Sequence, residues 1–188
     1  MTFNWKFILG SQSPRRKELL EKLGIEFKTI SKDVEEIYPE DLVPQLVPKY
    51  LAELKSNAFE NLGKDQMLIT SDTVVIFQNE ILGKPKDRKE AQETLSKLSN
   101  QWHEVVTGVC MRTADKSISF TDTTRVKFKE LSLEEIDYYI DNFGPFDKAG
   151  SYGIQDWFGV TCVERIEGCY FNVMGLPVRL VYQEIQDF

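Results

Sequence analysis

Three cationic side chains stand where a helix is predicted to begin, at Arg15, Arg16 and Lys17. The helix is predicted over 14–23, because Ser13 is a good N-cap and Pro14 suits the first helical position. The first turn of a helix carries a partial positive charge and favours Asp or Glu, so these cations have the wrong sign for helix stability. A phosphate chain on the free N–H groups would reverse that preference, with Ser11 and Ser13 adding hydroxyl contacts. The pattern therefore favours a phosphate-binding turn over solvated surface cations.

One carboxylate, Asp72, lies within a β-rich run over 67–77. It is costly to bury there unless it meets a cation or a metal ion. Lys55 lies beside the apolar face of a helix predicted over 47–61, and Lys84 precedes a proline in an extended segment. Asp72 and four basic side chains lie at the ends of separate elements, as a binding cleft requires; the four are Arg15, Arg16, Lys55 and Lys84. The alternatives are a structural Asp72–Lys84 pair and a Lys55 that snorkels to solvent.

Composition limits the class of protein. The chain has 188 residues, enough for one domain or two small lobes, with 41% hydrophobic and 28% charged residues. A formal net charge of −7 disfavours a general nucleic-acid binder. No apolar run approaches the roughly 20 residues of a membrane span, and the N-terminus does not resemble a signal peptide. We therefore expect a cytoplasmic protein with no nucleic-acid or membrane partner.

Several other chemistries are disfavoured. His103 is the one histidine, so a zinc site with two imidazole ligands is excluded, and we expect a structural role at the start of a strand. Neither a Walker A loop nor a Gly-x-Ser-x-Gly elbow is present. The cysteines have no zinc-type spacing, so reduced thiols are expected, and a Cys162–Cys169 disulfide is the disfavoured alternative.

Hydrophobic patterns and capping signals predict the elements that position these residues. Strands are predicted over 7–9, 26–30, 67–77, 102–112, 117–128 and about 160–166. Helices are predicted over 14–23 and 47–61, from an Asp87–Glu90 capping box to Ser99, from Ser132 and Glu135 through Tyr139, and from near Pro177.

Six motifs occur in order along the chain. They are Ser-Gln-Ser-Pro-Arg-Arg at 11–16, Ser-Asp-Thr-Val-Val at 71–75, Leu-Gly-Lys-Pro at 82–85, Thr-Gly-Val at 107–109, Asp-Lys-Ala-Gly-Ser-Tyr-Gly-Ile-Gln at 147–155 and Asn-Val-Met-Gly-Leu-Pro at 172–177. Together they closely resemble the Maf family of nucleoside triphosphate pyrophosphatases. The resemblance runs from Phe7 to the C-terminus, so a single domain over 1–188 is expected.

The resemblance implies an α/β fold. Its central sheet would be mixed, strongly curved and flanked by helices, with two lobes and a cleft, as in inosine-triphosphate pyrophosphatases. It also implies hydrolysis between the α- and β-phosphates, which gives a nucleoside monophosphate and pyrophosphate and depends on Mg²⁺ or Mn²⁺. Nucleotide house-cleaning would be the cellular role, and a homodimer is plausible by the same resemblance.

The resemblance also assigns roles to residues. Asp72 resembles the family's catalytic acid/base, and Asp72 and Glu36 resemble the carboxylates that hold the metal. The phosphate contacts would come from Ser11, Ser13, Arg15, Arg16, Lys55 and Lys84. One or two carboxylates suffice for Mg²⁺, which keeps several waters.

The loop at 147–155 resembles the family branch that acts on dTTP and UTP, rather than the 7-methyl-GTP branch. Arg15, Thr73 and Gln155 match positions linked to nucleotide choice. A Gln amide can accept from uracil or thymine N3–H, and the rotated amide would serve cytosine, so CTP stays open. Considered without the resemblance, Lys148 is interpreted as a surface charge. The other open functions are a division-linked interaction protein and a phosphatase that releases orthophosphate.

Overall fold

A computed structural model of the protein describes residues 3–188. The strands in this part are β1 (Lys6–Leu9), β2 (Phe27–Thr29), β3 (Gln66–Phe77), β4 (Glu80–Leu82), β5 (Trp102–Arg112), β6 (Ser117–Phe128) and β7 (Val163–Glu167). The α-helices are α1 (Pro14–Glu21), α2 (Val47–Asn57), α3 (Arg88–Leu98), α4 (Leu133–Phe143), α5 (Trp157–Thr161), α6 (Tyr170–Met174) and α7 (Val178–Asp187). None of the helices within 3–188 combines the length and apolar character needed to cross a bilayer.

The strands form one mixed sheet in the order β2-β1-β3-β5-β6-β7, with β4 beside β3. Strand β1 is parallel to both β2 and β3, whereas β4 is antiparallel to β3 and β7 is antiparallel to β6. The predicted α/β class with a central mixed sheet flanked by helices is confirmed. The strong curvature of that sheet and the cleft between two lobes stay predictions.

The chain divides into two compact units. Unit 1 comprises 1–72, 107–122 and 175–188, and unit 2 comprises 73–106 and 123–174. In unit 1, Leu19 and Leu20 of α1 are fully buried, and Ile8, Phe59 and Leu68 pack in one cluster. In unit 2, the largest fully buried side chains belong to Phe128, Tyr139 and Phe158. The single domain over 1–188 stays a prediction.

The predicted elements agree with the structure best where the pattern is long. Strands β5 and β6 have the predicted bounds 102–112 and 117–128. Helix α1 ends two residues before the predicted end at Leu23, and α2 ends four residues before the predicted end at 61.

The strand predicted over about 160–166 is wrong at its start. Residues Trp157–Thr161 form α5, and β7 begins only at Val163. The helical turn follows Asp156 at the N-cap position and buries Phe158 fully, with its ring centroid 5.0 Å from that of Phe128 and 4.8 Å from that of Tyr139. Packing against residues distant in sequence therefore overrides the local β preference of this segment.

The two predicted capping boxes differ. Ser132 and Glu135 form the reciprocal pair at the start of α4, which continues four residues past Tyr139. Asp87 accepts a hydrogen bond from the Glu90 N–H, but the Glu90 carboxylate accepts from the Lys86 N–H, so that box is only half formed.

The three cysteines are free thiols, as expected.

Gly108 of β5 lies directly against the beginning of α2 in unit 1. A Cβ atom at this position would lie 2.3 Å from the Lys49 nitrogen and 2.3 Å from the Pro48 carbonyl carbon. Neither atom belongs to a flexible side chain, so neither can yield without a shift of the helix. The glycine of the Thr-Gly-Val motif thus permits the close contact that places α2.

We predict that Gly108→Ala lowers the free energy of unfolding by about 3 kcal/mol, because it overpacks a contact between two backbone segments. Gly83→Ala is the matched control, since nothing lies within 4 Å of the added methyl group, and we expect a change within about 0.5 kcal/mol. Urea unfolding of both variants checks this. Equal stability of the two would contradict the packing account.

Candidate active site

The beginning of α1 is already capped by its own hydroxyl groups. Ser13 Oγ accepts a hydrogen bond from the Arg16 N–H at 3.4 Å, and Ser11 Oγ accepts from the Ser13 N–H at 3.2 Å. The N-cap prediction for Ser13 is confirmed. The expectation that a phosphate would find these N–H groups free is wrong for these two donors, because the serines already use them.

Arg16 is fixed by a backbone carbonyl from the far end of the sequence. Its Nε donates to Gly175 O at 3.0 Å, and one terminal nitrogen donates to Ser11 Oγ at 3.4 Å. Ser71 Oγ donates to the same carbonyl at 3.4 Å. Gly175 has a φ of 119°, which a glycine adopts readily. Gly175 belongs to the motif at 172–177, but the motif gives no signal for the role of its carbonyl.

Burial and nearby charges have opposing effects on the Arg16 guanidinium. Burial lowers the pKa of its guanidinium from the ordinary value, and the carboxylate of Asp72 opposes that shift. The neighbouring cation Arg15 adds to the lowering, while Glu36 opposes it. Arginine stays protonated in proteins, so the site keeps two adjacent positive groups on α1.

Lys55 joins two carboxylates in unit 1. Its Nζ lies 2.5 Å from Asp72 Oδ1 and 2.8 Å from Glu36 Oε1. The side chains of Lys55 and Asp72 are only 17% and 12% exposed, whereas that of Glu36 is 51% exposed. The ammonium group is therefore held by carboxylates rather than by solvent, which rules out the snorkelling alternative. Asp72 has the cationic partner that its position in β3 demands.

The strand register explains why the α1 turn and Asp72 share one region. Leu9 of β1 pairs with Ile69 of the parallel strand β3, and the Gly10 N–H continues the ladder by donating to Ile69 O at 2.8 Å. A Cβ atom on Gly10 would lie 2.7 Å from Thr70 Cγ2, so only glycine permits this approach without a shift. The chain then enters the turn at Ser11.

The carboxylates of Asp72 and Glu36 have the right chemistry for Mg²⁺ or Mn²⁺. Both are oxygen donors, and both already converge on one cationic group. Within residues 3–188 there is no group of three or more His, Cys, Asp or Glu side chains that could hold a metal ion. Water and substrate oxygens would therefore complete the coordination, as Mg²⁺ commonly requires.

The remaining predicted residues lie in unit 2. Thr73 follows Asp72 in β3 and is partly buried, Lys84 is exposed, and Gln155 is partly buried. The Gly150 N–H donates to Gly83 O at 3.1 Å, which ties the 147–155 loop to the segment carrying Lys84.

The 147–155 loop is held on both sides by a polar network. Lys148 Nζ lies 2.8 Å from Asp147 Oδ1 and 3.7 Å from Asp156 Oδ2, and its side chain is only 12% exposed. The interpretation of Lys148 as a surface charge is therefore wrong. The Tyr139 hydroxyl donates to Asp156 Oδ2 at 3.1 Å and accepts from the Gly153 N–H at 3.0 Å. Tyr139 belongs to none of the motifs, so sequence reasoning missed it.

Gln155 carries an unused acceptor on this loop. Its Oε1 is buried and has no hydrogen-bond partner among the described protein atoms. A buried carbonyl oxygen favours a hydrogen-bond donor, so this oxygen can accept from a ligand or a water molecule.

His103 supports the same loop from β5. Its Nε2 lies 2.8 Å from the Tyr152 hydroxyl, and the imidazole packs edge-on against Phe128 at 4.6 Å between ring centroids. Burial lowers the pKa of His103 to about 3, so the ring is neutral at neutral pH. The structural role expected for this histidine agrees with these contacts.

The fold and the site define a mixed α/β protein with a cationic helix start and a lysine-paired carboxylate on a central strand. A family model described as Maf-like protein matches residues 6–188. A dTTP/UTP pyrophosphatase of Porphyromonas gingivalis is 51% identical over 188 residues, 98% of this chain and 94% of that protein. A dTTP/UTP pyrophosphatase of Flavobacterium johnsoniae is 49% identical over 180 residues, 95% of this chain and 93% of that protein. The chain belongs to the Maf family.

Among solved structures, the Staphylococcus aureus Ham1 protein matches with a TM-score of 0.48 and 17% identity. The match covers 65% of this chain and 71% of that one.

The neutral state of His103 makes stability depend on pH. Its pKa is about 3 in the folded protein, against about 6.5 in the unfolded chain, so the unfolded state binds more protons between these values. The contribution of neutral His103 to the free energy of unfolding is complete above pH 6.5. It is lost as the pH falls towards 3, by about 1.4 kcal/mol per pH unit. We expect the free energy of unfolding to fall by roughly 2 kcal/mol more in the wild type than in His103→Gln between about pH 7 and 5.

Urea unfolding at several pH values measures this difference. Glutamine can keep a hydrogen bond to Tyr152 without titrating, and the chain has one histidine, so the difference in slope belongs to this group. Equal slopes would mean that the imidazole titrates normally in the folded protein.

Proposed function

We propose that the protein is a metal-dependent nucleoside triphosphate pyrophosphatase that hydrolyses dTTP and UTP to the monophosphate and pyrophosphate. The observation that carries the proposal is the Asp72 carboxylate on β3, which pairs with the Lys55 ammonium at 2.5 Å and interacts favourably with the Arg16 guanidinium of α1. Two Maf relatives about half identical over nearly their full lengths are named for this activity.

Hydrolysis at the α-phosphorus needs an oriented water, a base and positive charge on the leaving pyrophosphate. Asp72 orients the water and accepts its proton as the new bond from oxygen to the α-phosphorus forms. The bond from the α-phosphorus to the bridging oxygen breaks, and that oxygen leaves with pyrophosphate. Arg15, Arg16 and Lys55 bind the negative charge of the leaving group.

A divalent cation would be held by Asp72 and Glu36, where it would neutralise charge on the phosphate oxygens. The hydroxyl groups of Ser11 and Ser13 complete the phosphate turn in this proposal. Lys84 is proposed as a further phosphate contact.

Gln155 is the proposed reader of the base. Its buried, unused Oε1 is the acceptor that uracil or thymine N3–H requires. The hydrogen bonds of Tyr139 to Asp156 and Gly153 hold the loop on both sides of Gln155, which preorganises that acceptor. Thr73 and Arg15 are further proposed specificity positions.

The proposal includes a cytoplasmic location and a nucleoside triphosphate as the partner of the site. A homodimer, and the absence of nucleic-acid and membrane partners, stay predictions. None of these is needed for the chemistry at Asp72.

Product analysis tests the reaction, with a panel of nucleotides and Mg²⁺. We expect UMP or dTMP together with pyrophosphate. UDP with orthophosphate would contradict the cleavage position, and a preference for 7-methyl-GTP would contradict the pyrimidine assignment. No turnover of any nucleotide would favour an interaction protein.

We predict that Asp72→Asn lowers turnover of UTP by roughly 10²–10⁴-fold while nucleotide binding persists, because the amide keeps the shape but cannot take a proton. Asp65→Asn is the matched control, since the Asp65 side chain is half exposed and pairs with the exposed Lys6. It should retain full turnover. An active Asp72→Asn enzyme would remove Asp72 from the mechanism.

We predict that Gln155→Glu raises KM for UTP and dTTP more than for other nucleotides, because a carboxylate has no N–H to donate to the base carbonyl beside N3 and its negative charge repels that oxygen. Gln101→Glu makes the same change at an exposed position and should leave the ratio of kcat/KM values unchanged. Steady-state kinetics on several nucleotides measures both. A uniform loss across all bases would show that Gln155 does not read the base.

A further inference from the structure

Lys55 occupies the point on which both proposed metal-binding carboxylates converge. Its ammonium group lies 2.5 Å from Asp72 Oδ1 and 2.8 Å from Glu36 Oε1. At these distances it forms charge-assisted hydrogen bonds with both, and its single positive charge offsets the repulsion between the two negative charges. The same residue cannot also bind a phosphate group through these donors.

A divalent cation and this ammonium group compete for the same oxygens. The cation would have to separate Lys55 from Asp72 and Glu36 before it could bind both, because two positive groups repel at such short range. The lysine stem has four flexible carbons, so its ammonium group can move while α2 stays in place. A polyphosphate is the ligand that would accept the displaced positive charge.

We propose that Lys55 is an exchangeable counter-ion, which holds Asp72 and Glu36 in the ligand-free protein and transfers to the triphosphate when a divalent cation takes its place. The inference rests on the proposed function and adds a coupling to it. Nucleotide and cation then bind cooperatively, because each removes the obstacle to the other. Without nucleotide, Lys55 keeps cation affinity low.

The test is the affinity of the nucleotide-free protein for Mn²⁺. Calorimetry measures it, and so does the electron paramagnetic resonance signal of free Mn²⁺. Lys55→Met keeps much of the side-chain length and removes the charge. We expect it to bind Mn²⁺ at least about tenfold tighter than the wild type. Unchanged or weaker Mn²⁺ binding would overturn the proposal.

Three controls separate direct competition from a general effect of net charge. Lys22→Met removes a half-exposed lysine that pairs with Glu18 on α1, and it should leave Mn²⁺ affinity unchanged. Raising KCl to about 0.5 M screens a distant charge, so a gain that disappears there would also contradict the proposal. A double variant that combines Lys55→Met with Asp72→Asn should lose the gain in Mn²⁺ affinity.

Thermal unfolding provides a second readout that does not depend on catalysis. Without Lys55 the two carboxylates repel, so Lys55→Met should melt at a lower temperature in EDTA and recover more than the wild type when Mn²⁺ is added. If the methionine variant does not fold, Lys55→Gln gives the same comparison with a polar side chain. If Mn²⁺ raises the melting temperature of the variant and of the wild type equally, the counter-ion exchange is contradicted.

The outcomes distinguish this proposal from the proposed function. The pyrophosphatase assignment fails if the wild type releases no pyrophosphate from any nucleotide. The counter-ion exchange fails if removal of Lys55 does not strengthen Mn²⁺ binding, even in a fully active enzyme.

Discussion

The structure around the candidate site depends on the neutralisation of one nearly buried carboxylate. Asp72 lies on β3, where an isolated charge would be costly, and the Lys55 ammonium at 2.5 Å removes that cost. The guanidinium of Arg16 adds a second favourable charge and is itself fixed by Gly175 O. The cations that pair with Asp72 also attract an anionic substrate to the same region.

Two close backbone contacts bring these groups together. Gly10 allows the β1 ladder to run against Thr70 up to the cationic turn, and Gly108 allows β5 to lie against the start of α2, which carries Lys55. In unit 2, a different network of Lys148, Tyr139 and Asp156 holds the loop that carries Gln155. Rigid elements therefore position the reactive groups, and short side chains or glycines permit the approach.

Local signals predicted much of this arrangement. Ser13 and Pro14 define the start of α1 through capping chemistry alone, and the two long strands follow from alternation over eleven or more residues. The wrong sign of the charges on α1 indicates a phosphate site, which stays a prediction. The Gly175 carbonyl, the burial of Lys148 and helix α5 could not be predicted in the same way, because contacts between residues far apart in sequence determine them.

The decisive experiment is a crystal structure with Mg²⁺ and a UTP analogue that resists cleavage between the α- and β-phosphates. We expect the triphosphate over the turn from Ser11 to Arg16, with Asp72 within hydrogen-bond reach of a water beside the α-phosphorus. A triphosphate bound elsewhere, or an Asp72 carboxylate remote from that phosphorus, would contradict this expectation.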